Sequence, residues 1–443
     1  MKRLACALMA ILWGCSSAAP PPEGQLLVYV TTDAPLPPAP GKPESDVVPL
    51  FDRAELSVIE PGASAPCTDC RRVLALDAEA VDAGRVSFGL VAPPGRAGYR
   101  LRARLFRSAT TISAEPRPAS TIEAVAELPA VVAGEVTRLT LVLRTDDVAK
   151  PELPVALVPG KPPRSLVGSY PGARRTPCPS APPPGMACVP GGAFWMGDPS
   201  LDTTDGAEYD GRLERIVVLS PFFVDTTEVT VSAFRASGLA TPLSPGGPSN
   251  NPHVADADFF DCRYTDAPGA NEDYAVNCLS WQKAEAYCES LGKTLPTEAQ
   301  LEYLESRLGR APFVWGTDAP TCADAVFDRD ASGGCKPFGP APIGSGARDR
   351  LDLDGVEVLD VTGGVTEWAR DQWNRETEGC WGTGVFFDPF CDTPSALDPA
   401  ARVMRGGGWY ASIWLLRASL RARTVDEQFA VAGEIGFRCV SSP

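Results

Sequence analysis

The first third of the chain alternates between apolar and polar residues in short segments. Gln25–Thr32 is rich in β-branched and aromatic residues, and Tyr99–Arg107 alternates with a period of two. That period is typical of a strand with one buried face. Similar segments, separated by Gly, Pro and Asp, are Ala54–Glu60, Arg71–Leu76, Gly84–Val91 and Glu135–Arg144. We therefore predict a β-sandwich over residues 25–148.

The pattern changes after this region. Residues 149–186 are rich in Pro, Gly, Ser and Arg, which predicts a linker. In the remainder, residues 187–443, Ser280 can cap a helix over Trp281–Leu291, and Thr297 can open a second helix. The rest of this half consists of Gly-rich turns and isolated Trp residues, so we expect a loop-rich α+β domain stabilised by disulfides.

The first residues have the pattern of an export signal. A basic start precedes the apolar run Leu4–Trp13, which is too short to span a bilayer of about 30 Å. The run leads to Cys15 in a pattern that resembles a bacterial lipobox, while the alternative is signal-peptidase cleavage near Ala18. We expect a lipoprotein signal peptide over residues 1–15 with Cys15 acylated, then a tether over residues 16–24. The expected location is the cell envelope, on the outer membrane or the periplasmic face.

The cysteines also indicate export. Of fourteen cysteines, Cys6 and Cys15 belong to the signal region, which leaves an even number. Most of them lie in close pairs, which are Cys67/Cys70, Cys178/Cys188, Cys262/Cys278, Cys322/Cys335 and Cys380/Cys391. Structural disulfides formed in an oxidising compartment explain this spacing. Cys67 and Cys70 could instead be a redox or metal pair, but no further ligand lies close in sequence, which favours a loop disulfide.

Charge and histidine content exclude several kinds of function. The formal net charge is −16, which argues against a partner that is a nucleic acid. The single histidine, His253, excludes metal sites that need two or three imidazoles. His253 follows an Asn-, Pro- and Gly-rich stretch, so a surface loop is favoured over a catalytic role.

Eight short blocks follow one another in the second half. They are Val189–Gly197, Pro221–Thr230, Val276–Trp281, Ala284–Tyr303, Phe313–Gly316, Gly363–Trp368, Arg402–Trp409 and Gly436–Cys439. In this order they resemble the formylglycine-generating enzyme family, also called the sulfatase-modifying factor family. The resemblance implies the loop-rich variant of the C-type-lectin-like α+β fold for residues 187–443. It also implies a disulfide between Cys288 and Cys439.

The resemblance does not extend to the catalytic cysteines. Enzymes of the family oxidise a cysteine of a sulfatase to formylglycine with two cysteines that hold copper(I), a metal that requires soft thiolates. Here the two positions fall on Ala411 and Leu416, and no cysteine lies between Cys391 and Cys439. Copper is therefore not expected.

These observations predict an envelope lipoprotein whose family domain is non-catalytic and binds an exported protein or a glycan. One alternative is an oxidoreductase of the sulfatase-modifying type that acts on an exported protein through a non-standard site. Another is a purely structural envelope protein.

Calcium is the cofactor that the resemblance implies, since the family carries calcium sites built from oxygen ligands. Asp324 and Glu367 are the candidate ligands in this chain. The family Asn and Trp beside Glu367 fall on Gly364 and Thr366, which removes one ligand. The alternative is that Glu367 contacts an arginine or the backbone in a buried turn.

Two further sets of residues are candidates for ligand contact. Asp352 and Asp354 form an acidic loop that could hold a cation, but it lacks the later Glu of an EF-hand, which favours a solvated turn. A ligand groove is predicted from Trp409, Trp414, Arg417 and Arg421, beside Arg405 and Arg423. Arg side chains suit carboxylates of a ligand, although internal ion pairs are the alternative for Arg417 and Arg421 and are favoured for Arg405.

Overall fold

The computed structural model describes residues 24–43, 46–67, 69–112, 115–201, 209–239, 262–329, 333–375, 378–425 and 433–443. The predicted signal peptide with Cys15, and also His253, lie outside the described residues. Within the described ranges no helix is both long enough and apolar enough to cross a membrane.

The first half consists mainly of strands. They are β1 (Gln25–Thr32), β2 (Arg53–Ile59), β3 (Arg71–Ala75), β4 (Ser87–Leu90), β5 (Arg100–Phe106), β6 (Thr111–Ile112), β7 (Glu115–Pro116), β8 (Ile122–Glu127), β9 (Val136–Leu143), β10 (Leu153–Pro154) and β11 (Val158–Pro159), with one short helix, α1 (Ala78–Asp82). One sheet has the order β11-β9-β1-β4 and another the order β10-β8-β5-β2-β3. In addition, β6 and β7 pair as a small hairpin.

The two large sheets share one hydrophobic core. Leu26 and Val28 on β1 and Leu101 and Ala103 on β5 are buried in the same cluster. In β5 the buried residues Leu101, Ala103 and Leu105 alternate with partly exposed ones, as the alternating sequence pattern predicts. Strand β1 is instead buried on both faces from Val28 onward, as its run of apolar and β-branched residues allows.

Three features of the first half differ from the sequence pattern or add to it. Strand β8 lies inside the five-stranded sheet although the alternation did not single it out. Strand β4 is shorter than the segment proposed for it. The residues before it form α1, which begins where the Asp77 carboxylate accepts a hydrogen bond from the Ala80 N–H at 2.7 Å. The segment 149–186 contributes β10 and β11, which pair with β8 and β9.

In its described residues, the second half combines short strands with three α-helices. The strands are β12 (Met186–Val189), β13 (Gly192–Met196), β14 (Tyr209–Asp210), β15 (Arg215–Leu219), β16 (Phe222–Asp225), β17 (Arg350–Leu353), β18 (Val356–Leu359), β19 (Thr366–Gln372), β20 (Val385–Phe387), β21 (Ala401–Arg405), β22 (Arg421–Val425), β23 (Ile435–Gly436) and β24 (Val440–Ser441). The helices are α2 (Val231–Ala236), α3 (Trp281–Ser290) and α4 (Glu298–Glu305). The largest sheet has the order β14-β22-β21-β19-β23, and two three-stranded sheets have the orders β12-β16-β24 and β13-β15-β20.

Both predicted helices are present. Helix α4 begins at a capping box, because the Thr297 hydroxyl accepts from the Gln300 N–H and the Gln300 side chain accepts from the Thr297 N–H. Helix α3 begins at Ser280, but the Ser280 side chain makes no capping hydrogen bond, so that part of the prediction is wrong. Gly292 has a φ of +70° just after α3, which is the conformation expected at a helix C-terminus.

All six predicted disulfides occur in the structure. The five sequence-local pairs are Cys67–Cys70, Cys178–Cys188, Cys262–Cys278, Cys322–Cys335 and Cys380–Cys391. The sixth joins Cys288 on α3 to Cys439, which is 151 residues away in sequence. Both of these cysteines are fully buried. This long-range bond fastens the closing segment of the chain to α3.

The two halves contact each other directly. Trp195 on β13 is buried in the core cluster of the first half, and its indole N–H donates to the Leu50 carbonyl at 2.7 Å. Arg107 and Glu214 form an ion pair at 2.9 Å across the same boundary. The family domain therefore completes the core of the first half.

Candidate functional site

The positions of the family cysteines lie in a loop between two strands of the largest sheet. The chain leaves β21 at Arg405, passes through three glycines and the 3-10 helix Ile413–Leu416, and returns as β22. A β-carbon on Gly407 would lie 2.8 Å from the Leu416 side chain, and one on Gly408 would lie 2.9 Å from the carbonyl oxygen of Glu434. The loop can pack this closely because glycine has no side chain.

Hydrogen bonds fix this loop to its neighbours. The Asp328 N–H donates to the Ala411 carbonyl at 2.8 Å, and the Arg329 N–H donates to the Trp409 carbonyl at 2.9 Å. The Trp409 indole N–H donates to the Gly433 carbonyl at 2.9 Å. These contacts bury Trp409 completely and fix the position of the chain at Ala411.

A cavity of about 290 Å³ opens beside the loop. We call it the loop cavity. Its apolar lining consists of Met404, Ala411, Leu415, Leu420 and Ala422, and its polar lining side chains are Thr366, Tyr410, Ser412 and Glu434. An apolar concave surface with a few polar groups is the usual form of a small ligand site.

The loop cavity has no thiol at the family cysteine positions. Ala411 forms part of its wall, whereas Leu416 is fully buried and packs in a cluster with Phe313 and Phe327. Each cysteine within the described residues is bonded in a disulfide. The residues present therefore do not fit copper(I), because no thiolate can reach the site.

The four predicted groove residues are not brought together. Trp414 does not line the loop cavity, although Ser412 and Leu415 do, and 39% of its surface is exposed. Arg417 instead donates to the Asp198 carboxylate at 2.6 Å and lines a different cavity, between the two halves. The other two, Trp409 and Arg421, are buried and do not line the loop cavity, so their assignment to a ligand groove is wrong.

Arg421 belongs to a buried ionic cluster, which we call the Arg421 cluster. Its members are Arg421, Arg405, Glu298 and Glu302. Glu298 accepts hydrogen bonds from Arg421 at 2.6 Å and 2.8 Å and from Arg405 at 2.7 Å. Burial opposes the ionisation of Glu298, but the two guanidinium groups outweigh it and hold the pKa of this carboxyl below its ordinary value. The Arg side chains of this strand pair thus stabilise the fold rather than reach a ligand.

The structure contains a second ionic cluster, in which Glu367 contacts an arginine, as the alternative to calcium binding expects. This Arg438 cluster consists of Arg438, Glu228, Asp349, Asp360 and Glu367, all of them buried. Arg438 donates to Glu367 at 2.7 Å, while Asp349 accepts from the main chain of Val361, Thr362 and Gly363. Burial and the neighbouring Asp349 raise the pKa of Asp360 to about 7. Arg438 and Glu367 each belong to one of the eight sequence blocks. The sequence does not show that Glu228, Asp349 and Asp360 lie close to them.

The candidate calcium ligands do not fit a calcium site. Glu367 accepts from Arg438, which places a cation where calcium would have to bind. An Asn side chain could not replace Gly364, because its β-carbon would lie 2.6 Å from Glu228 Oε1. Asp324 accepts from the Thr321 N–H and hydroxyl, each at 2.8 Å, and these bonds lower the pKa of Asp324.

The acidic loop is a tight turn. Asp352 accepts from the Gly355 N–H at 3.2 Å, and Asp354 adopts a φ of +53° in the hairpin between β17 and β18. In the part of the chain that the structure describes, no group of three or more Asp, Glu, His or Cys side chains is arranged to hold a metal ion.

Glu434 is the functional candidate that the sequence did not single out. Its carbonyl oxygen accepts from the Thr366 N–H at 2.7 Å, which fixes its backbone, and its side chain lines the loop cavity. Burial raises the pKa of the Glu434 carboxyl to about 7. The available signal was a single acidic residue two positions before the closing block that starts at Gly436.

Comparison with known proteins identifies the same family that the eight sequence blocks resemble. The family described as "Sulfatase-modifying factor enzyme 1-like domain" matches residues 173–443. A formylglycine-generating enzyme from Thermomonospora curvata is 28% identical over 297 residues, which cover 58% of this chain and 94% of that protein. One from Streptomyces coelicolor is 27% identical and covers 62% of this chain and 96% of its own length. The solved structure of PvdO from Pseudomonas aeruginosa is 22% identical with a TM-score of 0.43, covering 62% of this chain and 99% of that one. The chain therefore belongs to the sulfatase-modifying factor enzyme 1-like domain family.

Proposed function

We propose that this protein is a non-catalytic member of its family that binds an exported protein or a glycan. The observation that carries the proposal is Ala411 in the wall of the loop cavity, at a position where the enzymes of the family have a thiol. The cavity is present, but the side chains that line it include no thiol that could hold copper(I). A shaped cavity without its reactive atoms is suited to binding rather than oxidation.

The location and the two-part architecture belong to the same proposal. An export signal with a lipidated Cys15 would anchor the protein in the cell envelope, and the disulfides suit an oxidising compartment. We further propose that the first half is a β-sandwich and that the second half is the loop-rich C-type-lectin-like fold. Trp195 joins the two halves, so the sandwich would hold the loop cavity at a fixed orientation to the anchor.

The binding proposal is tested by filling the loop cavity. Full-length wild-type protein and Ala411→Arg are immobilised and exposed to envelope extracts of the native organism, and retained proteins and glycans are quantified by mass spectrometry. Ala411 is 7% exposed, so a long side chain there must enter the cavity or displace its wall. Ala396→Arg, at an exposed position of the same domain, is the matched control.

We expect a specific species that wild type and Ala396→Arg retain and that Ala411→Arg loses. Equal retention by all three proteins, or no specific species on any of them, contradicts binding at this cavity. The thermal midpoint of Ala411→Arg is measured in parallel, so that lost binding can be separated from unfolding.

The alternative function is an oxidase that uses a different site, since the matched relatives are named formylglycine-generating enzymes. Purified protein is incubated with a cysteine peptide and either copper(I) or iron(II). Oxygen uptake and the peptide mass are then followed. We expect no uptake above that of the free metal and no formylglycine peptide. Sustained, protein-dependent uptake with conversion of the peptide would establish the oxidase instead.

A further inference from the structure

Glu434 is the one ionisable carboxylate among the described residues that line the loop cavity. The walls around it are methyl and methylene groups, with hydroxyls from Thr366, Tyr410 and Ser412. Tyr410 is the other titratable side chain in the lining. The cavity therefore has mostly apolar walls and a single carboxyl group that can carry a negative charge.

The Glu434 carboxylate differs from three acids of this domain in its partners. Glu298 is bonded to two arginines, Glu367 to Arg438, and Asp349 to main-chain N–H groups. Within the described ranges, neither an ion pair nor a hydrogen bond engages the side chain of Glu434. This side chain is partly exposed where it lines the cavity, so a ligand that enters can reach the carboxylate without displacing a protein partner.

Electrostatics agree with this geometry. Burial alone raises the pKa of Glu434 to about 7, and no described charge contributes to the shift. The carboxyl is therefore partly ionised at neutral pH and is not held by the protein itself. A cation that enters the cavity would pair with it in surroundings of low polarity, where ion pairs are strong.

We propose that the loop cavity binds a lysine side chain of the partner protein, with Glu434 as the counter-charge. This inference rests on the proposed binding function and names the chemistry of its ligand. A lysine side chain has an apolar stem of four methylenes and a compact ammonium group, which suit the apolar walls and the single carboxylate.

The test uses two short peptides that differ only in charge. Acetyl-Gly-Lys-Gly-amide and the same peptide with norleucine in place of lysine are titrated into the full-length protein, and binding is followed by saturation-transfer NMR. We expect the lysine peptide to bind at least about tenfold more tightly, the difference that one charge-assisted contact supplies. Equal affinities, or no binding of either peptide, would overturn the proposal.

Substitution and pH separate the charge from the shape of the cavity. Glu434→Gln keeps the size of the side chain, so it should abolish the preference for lysine and leave norleucine binding unchanged. For wild type, ionisation near pH 7 predicts that lysine affinity rises about 30-fold from pH 5.5 to pH 8, whereas Glu434→Gln should not respond. Glu289→Gln, at an exposed position on α3, is the matched control. A Glu434→Gln protein that still prefers lysine would refute the role of this carboxylate.

Two variants distinguish failure of the lysine proposal from failure of the proposed binding function. If Ala411→Arg loses a retained partner while Glu434→Gln keeps it at wild-type strength, the cavity binds, but not through a lysine. If both variants lose the partner, cavity and charge act together, as the proposal expects.

Discussion

The two buried ionic clusters of the family domain differ in how their buried carboxyl groups are compensated. In the Arg421 cluster, Glu298 is bonded to two guanidinium groups, and they hold its pKa below the ordinary value although it is buried. In the Arg438 cluster, Arg438 faces four carboxyl groups, and burial raises the pKa of Glu367 although this acid is bonded to Arg438. Burial and neighbouring acids raise the pKa of Glu228 well above its ordinary value and that of Asp360 to about 7. Two arginines on one acid therefore keep it ionised, whereas one arginine shared by four acids does not.

Neither cluster exposes a charge to the loop cavity, because none of the cluster side chains lies in its lining. Their ionic contacts instead connect helix α4 with strands β21 and β22, and strand β19 with the closing segment. These ionic contacts do not involve the side chains of Ala411 or Leu416.

The largest expected effect concerns the disulfide next to the Arg438 cluster. Cys439 follows Arg438 directly, and its bond to Cys288 closes a loop of 151 residues. Replacing both cysteines with alanine should lower the free energy of unfolding by about 5 kcal/mol in the chain-entropy account. The matched control removes Cys322–Cys335, which spans 13 residues and should cost about 3 kcal/mol. Urea denaturation measures both, and an equal cost would show that loop length is not the cause.

The Arg421 cluster should be sensitive to loss of one partner. Arg421→Met removes two hydrogen bonds from Glu298 and leaves a buried acid less compensated, so we expect a loss of about 3 kcal/mol. Arg423 lies on the same strand but is partly exposed, with its ion pair to Asp398 at 2.8 Å. Arg423→Met should therefore cost less than about 1 kcal/mol. Similar losses for the two variants in urea denaturation would contradict the contrast between buried and exposed pairs.

The Arg438 cluster should instead respond to pH. Because the pKa of Asp360 is raised to about 7 in the folded state, its contribution to stability falls as pH rises from about 4 through 7. Asp360→Asn removes this loss, so the variant should be more stable than wild type at pH 8 by about 2 kcal/mol, half of what an isolated group with this shift would give. Asn also tolerates the φ of +48° at this position.

Denaturation curves at several pH values measure the effect. Asp371, whose pKa burial and Glu298 also raise to about 7, contributes in the same direction. The slope of stability against pH should therefore shrink in Asp360→Asn without vanishing. Asp352→Asn, on the exposed hairpin, should leave the slope unchanged, and a slope equal to that of wild type in Asp360→Asn would contradict the assignment.

Much of the fold was predictable because its signals are local. The β-branched and aromatic composition of β1, the alternation in β5, the helices α3 and α4 and the close cysteine pairs are each specified within a few residues. Strand β8 and the short strands of segment 149–186 were not predicted, since their pairing partners lie elsewhere in sequence. Non-local pairing gives a short segment its structure, and the segment itself carries little sign of it.

The candidate site was predictable in its composition but not in its geometry. The absence of both thiols follows from residue identity at Ala411 and Leu416. The separation of Arg417 from Arg421 could not be predicted from residue identity, because their partners Asp198 and Glu298 come from distant segments. Glu434 was missed for the same reason: only the packing of residues from distant segments reveals that its side chain lines the loop cavity.

The smallest expected effect compares two helix caps that look alike in sequence. Ser280 and Thr297 each precede a helix, but only the Thr297 hydroxyl accepts a main-chain hydrogen bond, from Gln300. Thr297→Ala should lower the free energy of unfolding by about 1 kcal/mol, and Ser280→Ala should change it by less than about 0.5 kcal/mol. Since α4 carries Glu298 and Glu302, the loss of its cap should also weaken the Arg421 cluster. A double-mutant cycle with Arg421→Met should then give a non-zero coupling for Thr297→Ala and none for Ser280→Ala. Independent effects in both cycles would mean that the helix position is fixed by packing alone.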